Sequence, residues 1–330
     1  MVFSSKGHPM IARVAGGLVL ASVLVAGAAA AAVGGDALPR FSILGASASA
    51  GFSVVVNGPG GDGPGIASAR LGTVLRAMVD PPPCVVADWS TASFFSDPCT
   101  TGPHAVERCI QGEPDAVIAV DFLFWFAYGA FTADGRRISQ EADRDALFEL
   151  GLSLLDQVEA PLLVGDLPDM RGANPRVLNR WSVPEPETLE RLNRRLRKWA
   201  ADRPKVRIFP LAERTREAMT ATFGGDPAPT DPPEAGQVPE STNPPESAVD
   251  SAGPKRPPLV QRDRLHPTFE GLFDLTAAVA VAMADLPGFD RIAAEIDSLG
   301  HNAMLEQVRA RLLELDRPPP AGSPNSKSSP

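Results

Sequence analysis

Two stretches of this chain carry the residue types of nucleophilic catalysis. Gly45-Ala-Ser-Ala-Ser-Ala-Gly51 sets two hydroxyls, Ser47 and Ser49, among otherwise small residues. Asp263-Arg-Leu-His-Pro267 sets a carboxylate three residues before an imidazole. A serine hydroxyl attacks poorly at neutral pH unless a base takes its proton, and an imidazole serves best when a carboxylate fixes its tautomer. In a tight turn the Asp263 carboxylate can reach Nδ1 of His266 and leave Nε2 free for a serine. The other histidines fit less well: His8 lies in the N-terminal leader, His104 between two cysteines, and His301 in a helical C-terminal region. Alone, Asp-x-x-His is more often a satisfied surface pair at a helix start. Its pairing with a serine-bearing turn is what points to acyl chemistry.

The turn needs a strand to display it and the histidine needs a helix to follow it. Residues 41–44 read as an apolar strand running into the turn, whose small residues permit a sharp bend and close approach. Further strands are expected at 84–88, 115–121, 161–165 and 205–209, mostly continuous apolar runs of the kind buried on both faces. Between them the apolar spacing predicts helices over 67–78, 140–158 and 185–201. Another is expected over 268–284, followed by two shorter helical stretches ending near residue 315. The alternation implies parallel βαβ units, hence an α/β fold: a doubly wound three-layer α/β/α sandwich on a mostly parallel five-stranded sheet. Ligand sites in such sheets lie beyond the carboxyl ends of the strands. Ser47, Asp88 and Asp121 all fall there, with Trp89 and the aromatic run 122–126 just beyond.

Composition sets the frame. The 330 residues, 44% of them hydrophobic, suffice for one substantial core. The net charge of −9 lacks the basic footprint of a nucleic-acid binder. Lys6, His8 and Arg13, an apolar run over 14–25 and a small-residue tract over 26–33 have the three parts of a secretory signal. Residues 1–33 therefore read as a signal peptide and the protein as exported, periplasmic or extracellular; the alternative is a membrane anchor over 14–33. Export permits disulfides, with Cys99 and Cys109 as the expected pair and Cys84 buried in a strand. No spacing suggests a zinc site. The 34 prolines cluster, and segment 224–258, rich in Pro, Glu, Ser and Asp, reads as a disordered insertion in a domain spanning 34–316, with a disordered tail over 317–330. The Gly-rich stretch 57–65 lacks the Lys-Ser/Thr ending of a phosphate loop and reads as a surface loop.

On these residues the chain resembles the SGNH/GDSL hydrolase superfamily. Gly45, Ser47, Ser49, Gly51 and Phe52 align with its first block, Asp263-Arg-Leu-His-Pro-Thr268 with Gly271 matches its last, and 114–120 resembles the strand leading to its third. The resemblance implies the flavodoxin-like fold of that family, with Ser47 as nucleophile, His266 as base and Asp263 as its orienter. It implies no metal or organic cofactor. The chain departs from the pattern at Ala46, where the family has Asp, and at Phe122 and Phe124, where the third-block Gly and Asn should stand. A second-block Gly has no counterpart over 89–92. The Ser47 backbone N–H remains as an oxyanion donor, and Ser90, Ser93, Asn57 and the Trp125 indole are candidates for another. Asp121 and Asp88 are candidates for a modified site, though capping or turn roles suit them as well. The aromatic run suggests core or the wall of an apolar or sugar-stacking pocket. The implied activity is ester hydrolysis through an acyl-enzyme, on a small-molecule, lipid or polysaccharide ester. A catalytically weak envelope binding protein of the same fold and an O-acyltransferase are the alternatives.

Overall fold

The inner strands at 116–119 and 162–165 are uninterrupted apolar runs because both of their faces are covered. In the computed structural model, which describes residues 38–57, 67–224 and 257–315, five strands pair in parallel: β1 (Arg40–Ile43), β4 (Val85–Asp88), β5 (Ala116–Ala119), β6 (Leu162–Gly165) and β7 (Val206–Phe209). Their order is β4-β1-β5-β6-β7. Successive side chains alternate between two cores: Phe41, Ile43, Ala116, Ile118 and Leu163 face one, Val117, Ala119, Leu162 and Val164 the other.

Helices α1 (Leu71–Ala77), α7 (Phe269–Ala282), α8 (Phe289–Leu299) and α9 (His301–Leu315) close the first core. The second is closed by α2 (Pro98–Gln111), α3 (Phe124–Tyr128), α4 (Glu141–Leu155) and α5 (Pro186–Ala201). The result is a three-layer α/β/α sandwich. Helix α6 (Leu211–Phe223) follows β7, and a two-stranded hairpin, β2 (Val55–Val56) with β3 (Ala67–Ser68), follows the turn after β1. The chain reverses direction across the sheet between β1 and β5, and such a switch point leaves a crevice above the two strand ends.

The expected Cys99–Cys109 disulfide is corrected by this fold. Both residues lie on α2, not in a loop, ten residues apart. At about 1.5 Å rise per residue that is roughly 15 Å, against the roughly 4.4–6.8 Å between Cα atoms that a disulfide spans. All three cysteines are free, and burial pushes the Cys84 and Cys109 thiols up to about 11. His104 is correspondingly a helical surface residue, paired with Glu107. The leader and its cleavage or anchoring lie outside the described residues, as do the tail and all but the ends of segment 224–258. Among the described residues no helix is long and apolar enough to cross a membrane.

Candidate active site

The serine turn begins where β1 ends. Leu44 still donates to Ile118 of β5 (2.8 Å), and the chain then coils: Ala50 donates to Ala46 (2.9 Å), Gly51 to Ala48 (3.1 Å) and Phe52 to Ser47 (2.9 Å). Gly51, at φ +65, ends the coil against Ala69, so close that a Cβ there would lie 1.6 Å from the Ala69 carbonyl oxygen. Only glycine fits such an approach. Ser47 is 8% exposed, and neither its hydroxyl nor its backbone N–H bonds to a described residue. The Ser49 hydroxyl is not free: it donates to Asp121 Oδ1 (2.6 Å), and the Ser49 amide donates to Oδ2 (3.0 Å).

The histidine loop forms by local hydrogen bonding. Asp263 Oδ1 accepts from the amides of Leu265 (3.0 Å) and His266 (3.1 Å), and its Oδ2 lies 2.7 Å from His266 Nδ1. Arg264 takes up φ +55 to let the loop close. Thr268 caps α7 through the Gly271 amide (3.2 Å), and Gly271 lies so near Leu259 that a Cβ would meet its carbonyl oxygen at 1.8 Å. Partial burial works to raise the Asp263 value, but the His266 ring, the two amides and the imidazole charge together hold it below the usual carboxylate range. As a carboxylate, Asp263 accepts a hydrogen bond from Nδ1–H, which leaves Nε2 as the ring nitrogen free to accept a proton. That nitrogen bonds to no described residue.

Two contacts bring this loop to the serine turn. The Phe52 ring packs against the His266 ring at 4.6 Å. Gln261 Nε2 donates to the Phe52 carbonyl (3.0 Å) and to the Pro267 carbonyl (2.7 Å), bridging 209 residues of sequence. From the other side the Asn174 amide holds the Asp263 carbonyl (2.8 Å). No hydrogen bond joins Ser47 to His266 in this structure.

The additional donor candidates fare differently. The Ser90 hydroxyl is spent on Asp88 (2.5 Å), and Arg70 clamps the same carboxylate through Nε (3.1 Å) and Nη2 (3.0 Å) while also reaching the Ser90 hydroxyl (3.0 Å). Asp88 is thus a structural ion pair at the end of β4. Ser93 shares a hydrogen bond with Thr91 (2.9 Å) in the cap of a short 3-10 turn, Ala92–Ser96. Asn57 lies at the end of β2, where its carbonyl accepts from Arg309 of α9. Trp125 is 7% exposed, and its indole N–H is buried with no partner among the described residues, its ring against Phe95 and Phe124. The run 122–126 is core, not the wall of an open pocket. A cavity of about 390 Å³ instead lies between Phe95 and Phe131, and none of Ser47, Asp263 or His266 lines it.

No protein-family model matches the chain, and no curated protein does. Among solved structures it is similar to BT4096, a gut microbial diltiazem-metabolizing enzyme, at 12% identity and a TM-score of 0.41. The match covers 74% of this chain and 47% of that enzyme, so the chain spans about half its length.

Asp121 is a site residue whose partner sequence reasoning missed, although a lone Asp ending a buried apolar strand was visible. Burial pushes its carboxyl up from the ordinary value, and the Ser49 hydroxyl and the amides of Ser49, Ala46 and Ala48 only partly counter this. The native state therefore keeps a proton that the unfolded chain releases near about pH 4. The stability this group contributes is present below that pH and is lost as pH rises through the raised native value. Asp121→Asn has no such proton to lose. Its melting temperature relative to wild type is expected to rise as pH increases above about 4; a constant difference in calorimetry would show that the carboxyl titrates normally. Among the described residues no group of three or more His, Cys, Asp or Glu side chains is placed to hold a metal.

Proposed function

We propose that this chain is an exported serine hydrolase of the SGNH/GDSL type acting on ester bonds. The observation that carries the reading is the Asp263–His266 pair at 2.7 Å, stapled through Gln261 and Phe52 to the turn that bears the unpartnered Ser47 hydroxyl. Ser47 Oγ attacks the ester carbonyl while His266 Nε2 takes its proton, and Asp263 stabilises the imidazolium. The imidazolium returns the proton to the departing alcohol, leaving an acyl-serine. Water, deprotonated by the same nitrogen, then releases the acid. The Ser47 backbone N–H is the donor available to the oxyanion.

The test is covalent. A fluorophosphonate probe is expected to add once per chain, at Ser47 by peptide mapping, and a short-chain aryl ester to be turned over with a burst of alcohol. Absence of both would overturn the reading. One observation favours the second reading, a binding protein of the same fold: of the proposed second donors, the Ser90 and Ser93 hydroxyls are committed to Asp88 and Thr91 and the Trp125 N–H is buried. Labelling without turnover would support it.

A further inference from the structure

The Asp121 carboxyl takes no part in the Asp263–His266 pair, yet it occupies the hollow of the serine turn. Its two oxygens take the two donors of one residue, the Ser49 hydroxyl at 2.6 Å and the Ser49 amide at 3.0 Å, and the amides of Ala46 and Ala48 also point to it. The fit is close enough that a Cβ on Gly45 would lie 2.6 Å from Oδ1. Asp121 is 5% and Ser49 0% exposed. Around them the turn has few side chains with which to stiffen itself, since Gly45, Ala46, Ala48, Ala50 and Gly51 are all small. Between Gly45 and Gly51 its other tethers to neighbouring segments include the backbone bonds from Thr91 to the Gly45 carbonyl (3.1 Å) after β4 and from Leu71 to the Ser49 carbonyl (2.9 Å) at the start of α1.

We propose that Asp121 is the positioning residue of the nucleophile: by gripping Ser49 from the end of β5, it fixes the direction in which Ser47 leaves the end of β1. The proposal rests on the serine-hydrolase reading above. The Asp121 carboxyl is suited to the task because its two oxygens stand at the spacing of a serine's own amide and hydroxyl. It also ties the two strands that flank the switch-point crevice. Displacement of a nucleophile by about 1 Å can cost about 100-fold in rate, so a turn built of alanine and glycine needs such a restraint. Asp121 touches neither substrate nor the reacting atoms; it acts through Ser49.

The experiment compares wild type, Asp121→Ala, Asp121→Asn and Ser49→Ala by the rate of fluorophosphonate addition to Ser47 and by kcat and KM on an aryl ester. Circular dichroism fixes the folded fraction. Per folded molecule, Asp121→Ala is expected to lower both labelling and kcat about 100-fold with KM little changed. Asp121→Asn can accept the Ser49 amide with its carbonyl and donate its NH₂ to the Ser49 hydroxyl, and is expected to recover most of that loss. Ser49→Ala, which gives up one of the two bonds, should fall about tenfold. Folded Asp121→Ala that labels at the wild-type rate would overturn the proposal and leave the hydrolase reading standing. So would an asparagine variant no better than alanine. If Asp121→Ala does not fold, Ser49→Ala decides: wild-type labelling and kcat overturn the proposal. A wild type inert to the probe and to the ester would overturn both.

Discussion

Ser47→Ala is expected to lower kcat on an aryl ester by about a millionfold, and Asp263→Asn by about ten thousandfold, each with KM nearly unchanged. The first loss is that of the attacking atom. The second follows from the tautomer. In the wild type the Asp263 carboxylate can only accept, so the proton of neutral His266 sits on Nδ1, 2.7 Å away, and Nε2 is basic. An asparagine keeps an oxygen for the Leu265 and His266 amides, so the loop holds its shape. It then turns its NH₂ toward Nδ1, and the imidazole proton moves to Nε2, where it can no longer accept from serine. Because the residues act as a unit, the double variant should be hardly slower than Ser47→Ala alone. Steady-state kinetics on the three proteins checks this. Losses that multiply, or an Asp263→Asn enzyme within tenfold of wild type, would show that His266 is not oriented by this carboxylate.

On the serine-hydrolase reading proposed above, the oxyanion side of the site sets an upper bound on the wild-type rate. Removing one donor from such a hole typically costs about 2.7 to 4 kcal/mol. The resemblance expects further donors from a second-block Gly near 89–92 and from a third-block Asn at Phe124; Phe124 and its neighbour Phe122, where the third-block Gly should stand, are both buried in the second core. The structure accounts for that substitution in packing terms: Phe122 and Phe126 lie against Phe94 and each other, and Gly102 of α2 and Gly151 of α4 leave room for the Phe126 ring. The aromatic cluster thus fills the space above β5 and closes the second core. Its chemistry is that of packing rather than of hydrogen-bond donation.

What was legible in the sequence was local or periodic. The inner strands could be read because burial on two faces leaves continuous apolar runs, Ala116–Ala119 and Leu162–Gly165, and the others because short, mostly apolar runs alternate with helical spacing. Helix α5 could be read because Leu189, Leu192, Leu196 and Trp199 share one face. The Asp263–His266 pair was legible because three residues of turn suffice to make it. Helix α2 was missed although Asp97 and Pro98 announce it, the Asp97 side chain accepting from the Thr100 amide (3.0 Å); Pro103, a residue type that usually interrupts a helix, lies inside it. Helix α6 buries only Leu211 and Met219, too few residues to draw a stripe. The partners of Ser49, Ser90 and Asp88 were beyond reach for another reason. Asp121 is 72 residues from Ser49, and Arg70 is 20 from Ser90. Which hydroxyls are spent and which stay free depends on strand order, and strand order is not written in any one segment.

That dependence makes Gly51 the most exposed point of the design. Gly51→Ala is expected to destabilise the protein by about 3 to 5 kcal/mol, the range of the severe single substitutions. Two costs combine. An alanine at φ +65 pays about 1 to 2 kcal/mol for the left-handed conformation. Its Cβ would also stand 1.6 Å from the Ala69 carbonyl oxygen and 2.7 Å from the Ala69 carbonyl carbon, an overlap with backbone that no rotamer relieves. The turn and the β3–α1 junction have to separate, straining the bonds from Val54 to the Gly51 carbonyl (3.0 Å) and from Leu71 to the Ser49 carbonyl (2.9 Å). The Phe52 ring that meets His266 moves with them. Gly135→Ala is the control, since Gly135 has φ +78 but nothing within 4 Å of the added Cβ. It should cost only the conformational share, about 1 to 2 kcal/mol, and leave ester turnover untouched. Urea denaturation midpoints of the two variants separate the terms. Equal midpoints would mean that the approach to Ala69 relaxes freely, and that the serine turn is not held where Ser47 and His266 require it.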